Sequence, residues 1–199
     1  MKVAIFTRGF RPPTRAHVWV VRRLATLYPR VIVRPRGTRK DGEFDPLSDE
    51  HRAEMVRIAF AGIDNGRVML DFSDIGRPLT PAIDLFEELG SKGIQSVFVV
   101  GTGLILNGEI GSSDIQDKWK QGRRLWDTAP FRVVARDDEC SVGDLPPLND
   151  GPVITCKISA SATLVREAYA DGNVEAAERQ LTPQVAAYIR QHGLFRQIE

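Results

Sequence analysis

The residues best suited to chemistry stand in two short stretches near opposite ends of the chain. In FTRGFRPPTRAH, Phe6 to His17, a glycine and two prolines follow an apolar run, and Thr14 and His17 lie three apart. With a helix starting near Thr14, that spacing puts both side chains on one face of its first turn. The unpaired amides of a helix N-terminus donate to phosphate, and a histidine among them suits a transferring phosphoryl group. In ISASATLVREAYADG, Ser161, Thr163 and Arg166 open a second helix after a strand. Hydroxyls, free amides and a guanidinium together make a seat for a triphosphate. Each stretch also has a plainer reading. Thr14 caps a helix and His17 is an ordinary surface residue; Ser161 caps another and Arg166 is solvated. Spacing does not decide between them, and the two stretches strengthen each other only if the fold brings them together.

Three further groups carry weaker signals. RPRGTRKDGE holds Arg34, Arg36, Arg39 and Lys40, which read either as solvated charge or as a lid that meets phosphates, with Gly37 and Gly42 supplying mobility. Trp119 and Trp126 are seven apart, two turns of one helix, and by themselves read as core packing. Asp71, Asp74, Asp84 and Asp114 read as surface acids, and no set of residues has the spacing of a metal cage.

These groups need a scaffold, and the hydropathy pattern supplies one. VAIF, VIVR, RVMLDF, SVFVVG, FRVVAR and VITC are apolar runs of strand length. Between them lie helix signals. HVWVVRRLATL has an apolar period of three to four, and SDEHRAEMVRIAF opens on a serine cap. TPAIDLFEELG has a threonine cap, a proline in the first turn and a closing glycine, and DKWKQGRRLWDT reads as one helix despite Gly122. SATLVREAYADG and TPQVAAYIRQHG complete the set. Alternating strands and helices predict an α/β fold, with a parallel sheet covered on both faces. In such sheets ligands bind beyond the C-terminal strand ends, which is where FTRGFRPPTRAH begins.

Composition narrows the class. A chain of 199 residues can bury one sizeable core. A formal charge of +1 argues against sequence-independent binding of nucleic acid. No apolar run is long enough to predict a membrane span. Met1 leads straight into a strand, without the pattern of a signal peptide. Cys140 and Cys156 read as cytosolic bystanders, so a cytoplasmic location is expected.

RGFRPPTRAH, Arg8 to His17, resembles the first motif of the nucleotidyltransferase superfamily, G-x-F-x-P-x-[H/T]-x-G-H. ASATLVR, Ala160 to Arg166, resembles the second, I-S-S-T-x-[I/V]-R. Within that superfamily the chain most resembles the bacterial nicotinate-mononucleotide adenylyltransferases. Supporting segments follow in order over nearly the whole chain: VRPRGTRK, SDEHRAEMVRIAF, RPLTPAIDLFEEL, DKWKQGRRLWDTAPFRVVAR and LTPQVAAYIRQHGLF. The resemblance implies a Rossmann-like nucleotidyltransferase fold with a mostly parallel sheet. It implies one domain over residues 1–199, in which residues 157–199 form a C-terminal helical part.

It also implies adenylyl transfer from ATP, with Mg2+, to a small pyridine mononucleotide, in NAD biosynthesis and without nucleic acid or membrane as partner. Self-association into a homo-oligomer is compatible with it. By the same resemblance His17, Thr14, Arg166 and Lys40 handle the phosphates. Gly9, Phe10, Ser161, Thr163 and Gly101 contact the nucleotide, and Trp119 stacks on the pyridine ring. The sequence departs from the pattern at Thr14, where the branch has histidine, and at Ala16, where the motif has glycine. Ala162 replaces a hydroxyl residue, and Gly103 stands where a carboxylate is usual. Two alternatives stay open: a related adenylyl- or cytidylyltransferase with another phosphorylated acceptor, and a nucleotide-binding protein with little catalysis.

Overall fold

The computed structural model describes residues 1–37, 47–63, 66–105, 112–136 and 145–195. All six predicted strands form: β1 Lys2–Arg8, β2 Arg30–Pro35, β3 Val68–Leu70, β4 Gln95–Gly101, β5 Phe131–Arg136 and β6 Ile154–Cys156. They make one sheet in the order β3-β2-β1-β4-β5-β6, and every pairing is parallel. The helices are α1 Arg15–Leu27, α2 Asp49–Phe60, α3 Ala82–Ser91, α4 Asp114–Lys118, α5 Gly122–Thr128, α6 Ala162–Ala170, α7 Val174–Glu178 and α8 Pro183–His192. A 3₁₀ turn, Thr102–Leu104, follows β4. None of the described helices is long and apolar enough to cross a membrane.

Strand alternation sends neighbouring residues to opposite faces. Ala4 and Phe6 of β1 join Val97 and Val99 of β4 in one core, where α1, α2, α6 and α8 contribute Leu24, Val56, Val165 and Ile189. Val3 and Ile5 join Phe98 and Val100 in the other, closed by Ile83 of α3, Ile115 of α4 and Leu125 of α5. Both faces are thus covered, as an apolar parallel sheet requires. This is the α/β fold expected from the alternation of elements, in the Rossmann-like form that the family resemblance implied. The strand order reverses between β1 and β4, and such a switch point opens a crevice at the C-terminal strand ends.

Two expected elements differ. The single helix over DKWKQGRRLWDT is broken: α4 ends at Lys118, Trp119 is extended, and Gln121 has a φ of 50° before α5 starts at Gly122. A Cβ on Gly122 would lie 1.8 Å from the Ile115 carbonyl oxygen. The two short helices touch backbone to backbone there, so only glycine fits. Trp119 and Trp126 therefore do not share a helical face; Trp126 is buried against Phe131, 6.0 Å between ring centroids. Helix α3 is capped by Pro81 rather than Thr80, because the Thr80 hydroxyl donates to Asp74 at 2.6 Å.

Candidate functional site

The loop from β1 to α1 is set by burial. Phe10 has a φ of 50°, which is unfavourable for a residue with a side chain. Its ring is buried among Phe6, His17 and Phe60, with centroids 5.2–5.8 Å away, and this anchorage offsets the backbone cost. The Phe10 side chain is therefore packed into the fold and not presented to a ligand.

Helix α1 starts just after Thr14, as the sequence predicts, and His17 folds back onto that start. The Thr14 amide donates to His17 Nδ1 at 3.0 Å, and the Thr14 hydroxyl oxygen lies 3.1 Å from the same nitrogen. With Nδ1 accepting, the ring proton sits on Nε2. Burial, followed by the charges of Arg8 and Arg136, lowers the His17 pKa to about 3. The ring is thus a neutral N–H donor at neutral pH. Thr14 has no exposed surface, so the expected phosphate contact from its hydroxyl is corrected. Its place is beneath His17, which it orients.

The second helix start arrives beside the first. Arg166 Nη1 donates to the Arg11 carbonyl at 2.7 Å and to the Ala162 carbonyl at 3.2 Å, and Nη2 reaches Thr163 Oγ1 at 3.3 Å. The condition posed by the sequence is therefore met: α6 and the β1–α1 loop are joined through Arg166. Ser161 is the N-cap of α6, but its side chain makes no capping bond. Thr163 is exposed in the first turn.

Two residues the sequence did not single out hold this arrangement. Gln180 takes the Ser161 amide on its side-chain oxygen at 2.8 Å and the Arg15 amide on its carbonyl at 2.9 Å, so one residue ties both helix starts. Arg52 of α2 is 1% exposed and donates from Nε to the Gly9 carbonyl at 2.9 Å and from Nη2 to the Arg36 carbonyl. It clamps the loops that leave β1 and β2. The arginine inside SDEHRAEMVRIAF was visible in the sequence; its target carbonyls were not.

Next to the helix starts lies a cavity of about 510 Å³, bounded by Arg8, Gly9 and Arg36 on one side and by Leu85, Phe98 and Trp119 on the other. Trp119 is half-buried there, between Lys118, paired with Asp114 at 2.8 Å, and Lys120, paired with Asp84 at 2.8 Å. Gly101 ends β4 beside Arg8; a Cβ there would come within 3.3 Å of the Arg8 guanidinium. His17 and Arg166 are not among the cavity's walls, so the helix starts and the cavity meet at Arg8 and Gly9.

Several expectations are corrected here. Arg34 belongs to no lid. It is buried in β2, with Nε and Nη2 on Asp74 at 3.1 and 2.6 Å and Nη1 on Asp71 at 2.7 Å. Asp74 is accordingly no surface acid. Burial pushes its carboxyl up, but Arg34 and Thr80 outweigh that and hold it below the usual carboxylate range. Gly37 serves close backbone approach, since a Cβ there would lie 2.5 Å from the Arg77 carbonyl oxygen. Arg39, Lys40, Gly42 and Cys140 lie outside the described residues. Cys156 is a free, buried thiol in β6.

Among the described residues no group of three His, Cys, Asp or Glu side chains could hold a metal ion. The helix starts and the adjoining strand ends instead present Arg8, Arg36, Arg136 and Arg166, a setting for anionic ligands.

No curated protein shows significant sequence similarity to the chain. Among solved structures, the nicotinic acid mononucleotide adenylyltransferase of Plasmodium falciparum complexed with NaAD superposes with a TM-score of 0.82 at 21% identity, covering 98% of this chain and 97% of that one. The same enzyme complexed with APC gives 0.76 at 20% identity, covering 98% and 96%. A sequence profile of the cytidylyltransferase-like family matches residues 7–168, from the last turn of β1 to the Arg166 helix, and the chain belongs to that family.

Proposed function

We propose that the protein transfers AMP from ATP to nicotinate mononucleotide, or to nicotinamide mononucleotide, and releases pyrophosphate. The observation that carries this reading is the Arg166–Arg11 contact at 2.7 Å, which joins both helix starts beside a cavity walled by Trp119. The likeness to two structures of a pyridine-mononucleotide adenylyltransferase supports the choice of acceptor.

An oxygen of the acceptor phosphate attacks the α-phosphorus of ATP. The new P–O bond forms as the bond to the bridging oxygen breaks, and the electron pair leaves with pyrophosphate. The nucleophile is already anionic, so alignment and charge stabilisation supply the catalysis. Neutral His17 donates from Nε2 to a phosphate oxygen that gains charge in the transition state. Thr14 keeps that tautomer. The amides at the start of α6, with Ser161, Thr163 and Arg166, seat the ATP phosphates, and Lys40 is assigned to the acceptor phosphate or the leaving pyrophosphate. Gly9 and Gly101 let the nucleotide approach the strand ends, and Phe10 shapes the loop from beneath. Trp119 stacks on the pyridine ring. The phosphate-facing side chains are cationic or neutral and do not fit a protein-held magnesium ion. Mg2+ therefore arrives with the phosphates of ATP.

Purified protein should release pyrophosphate from ATP only when a pyridine mononucleotide is added. A panel pairing ATP and CTP with phosphopantetheine, glycerol phosphate and choline phosphate serves as the comparison. Turnover confined to one of those acceptors, or no turnover at all, refutes the assignment.

A further inference from the structure

Arg8 stands where the helix starts meet the cavity. It ends β1 and lines the cavity, and its charge acts on His17. Three other cations of that wall sit in ion pairs: Arg34 with Asp74 and Asp71, Lys118 with Asp114, and Lys120 with Asp84. Arg8 forms no ion pair among the described residues. Its Nη1 donates to the neighbouring Thr7 carbonyl at 3.2 Å, and its guanidinium carbon lies 5.3 Å from the Phe6 ring centroid. Arg36 and Arg136 add positive charge nearby, and burial together with these two lowers the Arg8 pKa to about 10, so it remains a cation at neutral pH. A half-buried guanidinium with no carboxylate partner among the described residues carries a desolvation cost. A bound anion with two or more oxygens matches its forked donors.

We propose that Arg8 binds the phosphate monoester of the acceptor and so makes the site select phosphorylated acceptors over their nucleosides. The inference rests on the proposed function, because it assigns the acceptor's ring to the cavity and its phosphate to the cavity mouth. The phosphate then lies between Trp119 and His17, on the path to the α-phosphorus. Arg8 replaces no partner of the fold, since no carboxylate among the described residues depends on it. Gly101 gives it room: its Nη2 lies where any Cβ at Gly101 would approach to 3.3 Å.

The test is calorimetric binding to the full-length protein, wild type and R8Q, with R8K as the conservative variant and thermal melts as the folding control. The ligands are nicotinate mononucleotide, the corresponding nucleoside, and ribose 5-phosphate. R8Q should weaken the mononucleotide and ribose 5-phosphate by at least about 30-fold, as loss of a charge-assisted pair does. The nucleoside should change by less than about 3-fold, and R8K should recover part of the loss. R8Q that binds the mononucleotide within about 3-fold of wild type, or more tightly, overturns the proposal. So does wild-type protein that binds no phosphate monoester. Ribose 5-phosphate needs neither ATP nor turnover. If wild type forms no dinucleotide yet R8Q still loses ribose 5-phosphate, the proposed reaction fails and the anion site at Arg8 stands.

Discussion

Replacing His17 by alanine removes two bonds with separate consequences. One is the Nε2–H donation to the phosphates in the proposed mechanism; losing such a preorganised donor costs about 100-fold or more in turnover, a few kcal/mol of transition-state stabilisation. The other is the Nδ1 acceptor. The Thr14 amide donates to it at 3.0 Å, and Thr14 is fully buried, so alanine leaves an unpaired donor without water. That loss costs about 1–3 kcal/mol of stability, or a Tm lower by about 2–12 °C in a chain of this size. The fold should therefore suffer more than an exposed helix residue would suggest. Glutamine separates the two effects. At the third position of a helix its side chain reaches back to the N-cap amide, so H17Q should melt within about 3 °C of wild type while staying at least about 100-fold slower. Steady-state pyrophosphate release and thermal melts on wild type, H17A and H17Q provide the readout. H17A as stable as wild type refutes the capping bond, and folded H17A or H17Q turning over within about 10-fold of wild type refutes the phosphate role.

Other outcomes follow from the same geometry. His17, with a pKa lowered to about 3, should show no NMR titration between pH 8 and pH 5 in the free protein; a midpoint near its ordinary value of 6.5 contradicts the buried, arginine-flanked site. Because the unfolded state takes up that proton and the folded state does not, wild type should lose stability as pH falls from about 6.5 toward 3, by at most about 1.4 kcal/mol per unit. H17Q should lack this component in denaturant titrations at pH 6.5 and pH 5. G122A should cost more than about 3 kcal/mol or abolish folding, because its Cβ would meet the Ile115 carbonyl at 1.8 Å; a melt close to wild type contradicts the contact between α4 and α5. D74N leaves Arg34 without its bidentate partner and should destabilise by about 3–5 kcal/mol in chemical denaturation, whereas a change below 1 kcal/mol contradicts the buried pair.

What the sequence disclosed and what it withheld divide along a physical line. Strands such as SVFVVG and helix ends such as Gly193, with a φ of 62°, are written in local hydropathy and turn chemistry, and they formed where expected. Thr14 and His17 were legible as a pair because three residues of helix bring them together. Arg34 looked like its basic neighbours in sequence, and only the tertiary approach of Asp74, forty positions on, shows it neutralised. Gln180 is an unremarkable polar residue until the fold puts Ser161 and Arg15 on either side of it. The break at Gly122 depends on a carbonyl from another helix. The five-residue α7, Val174–Glu178, is too short to show a period.

Isotope tracing addresses the central claim most directly. The protein is incubated with ATP and nicotinate mononucleotide carrying 18O in its phosphate, and the products are resolved by mass spectrometry. Attack by the acceptor phosphate on the α-phosphorus, in the cleft where Arg166 joins the two helix starts, predicts a dinucleotide that keeps every labelled oxygen and a pyrophosphate that carries none. Label in pyrophosphate, or ATP consumed without dinucleotide, would contradict adenylyl transfer at this site.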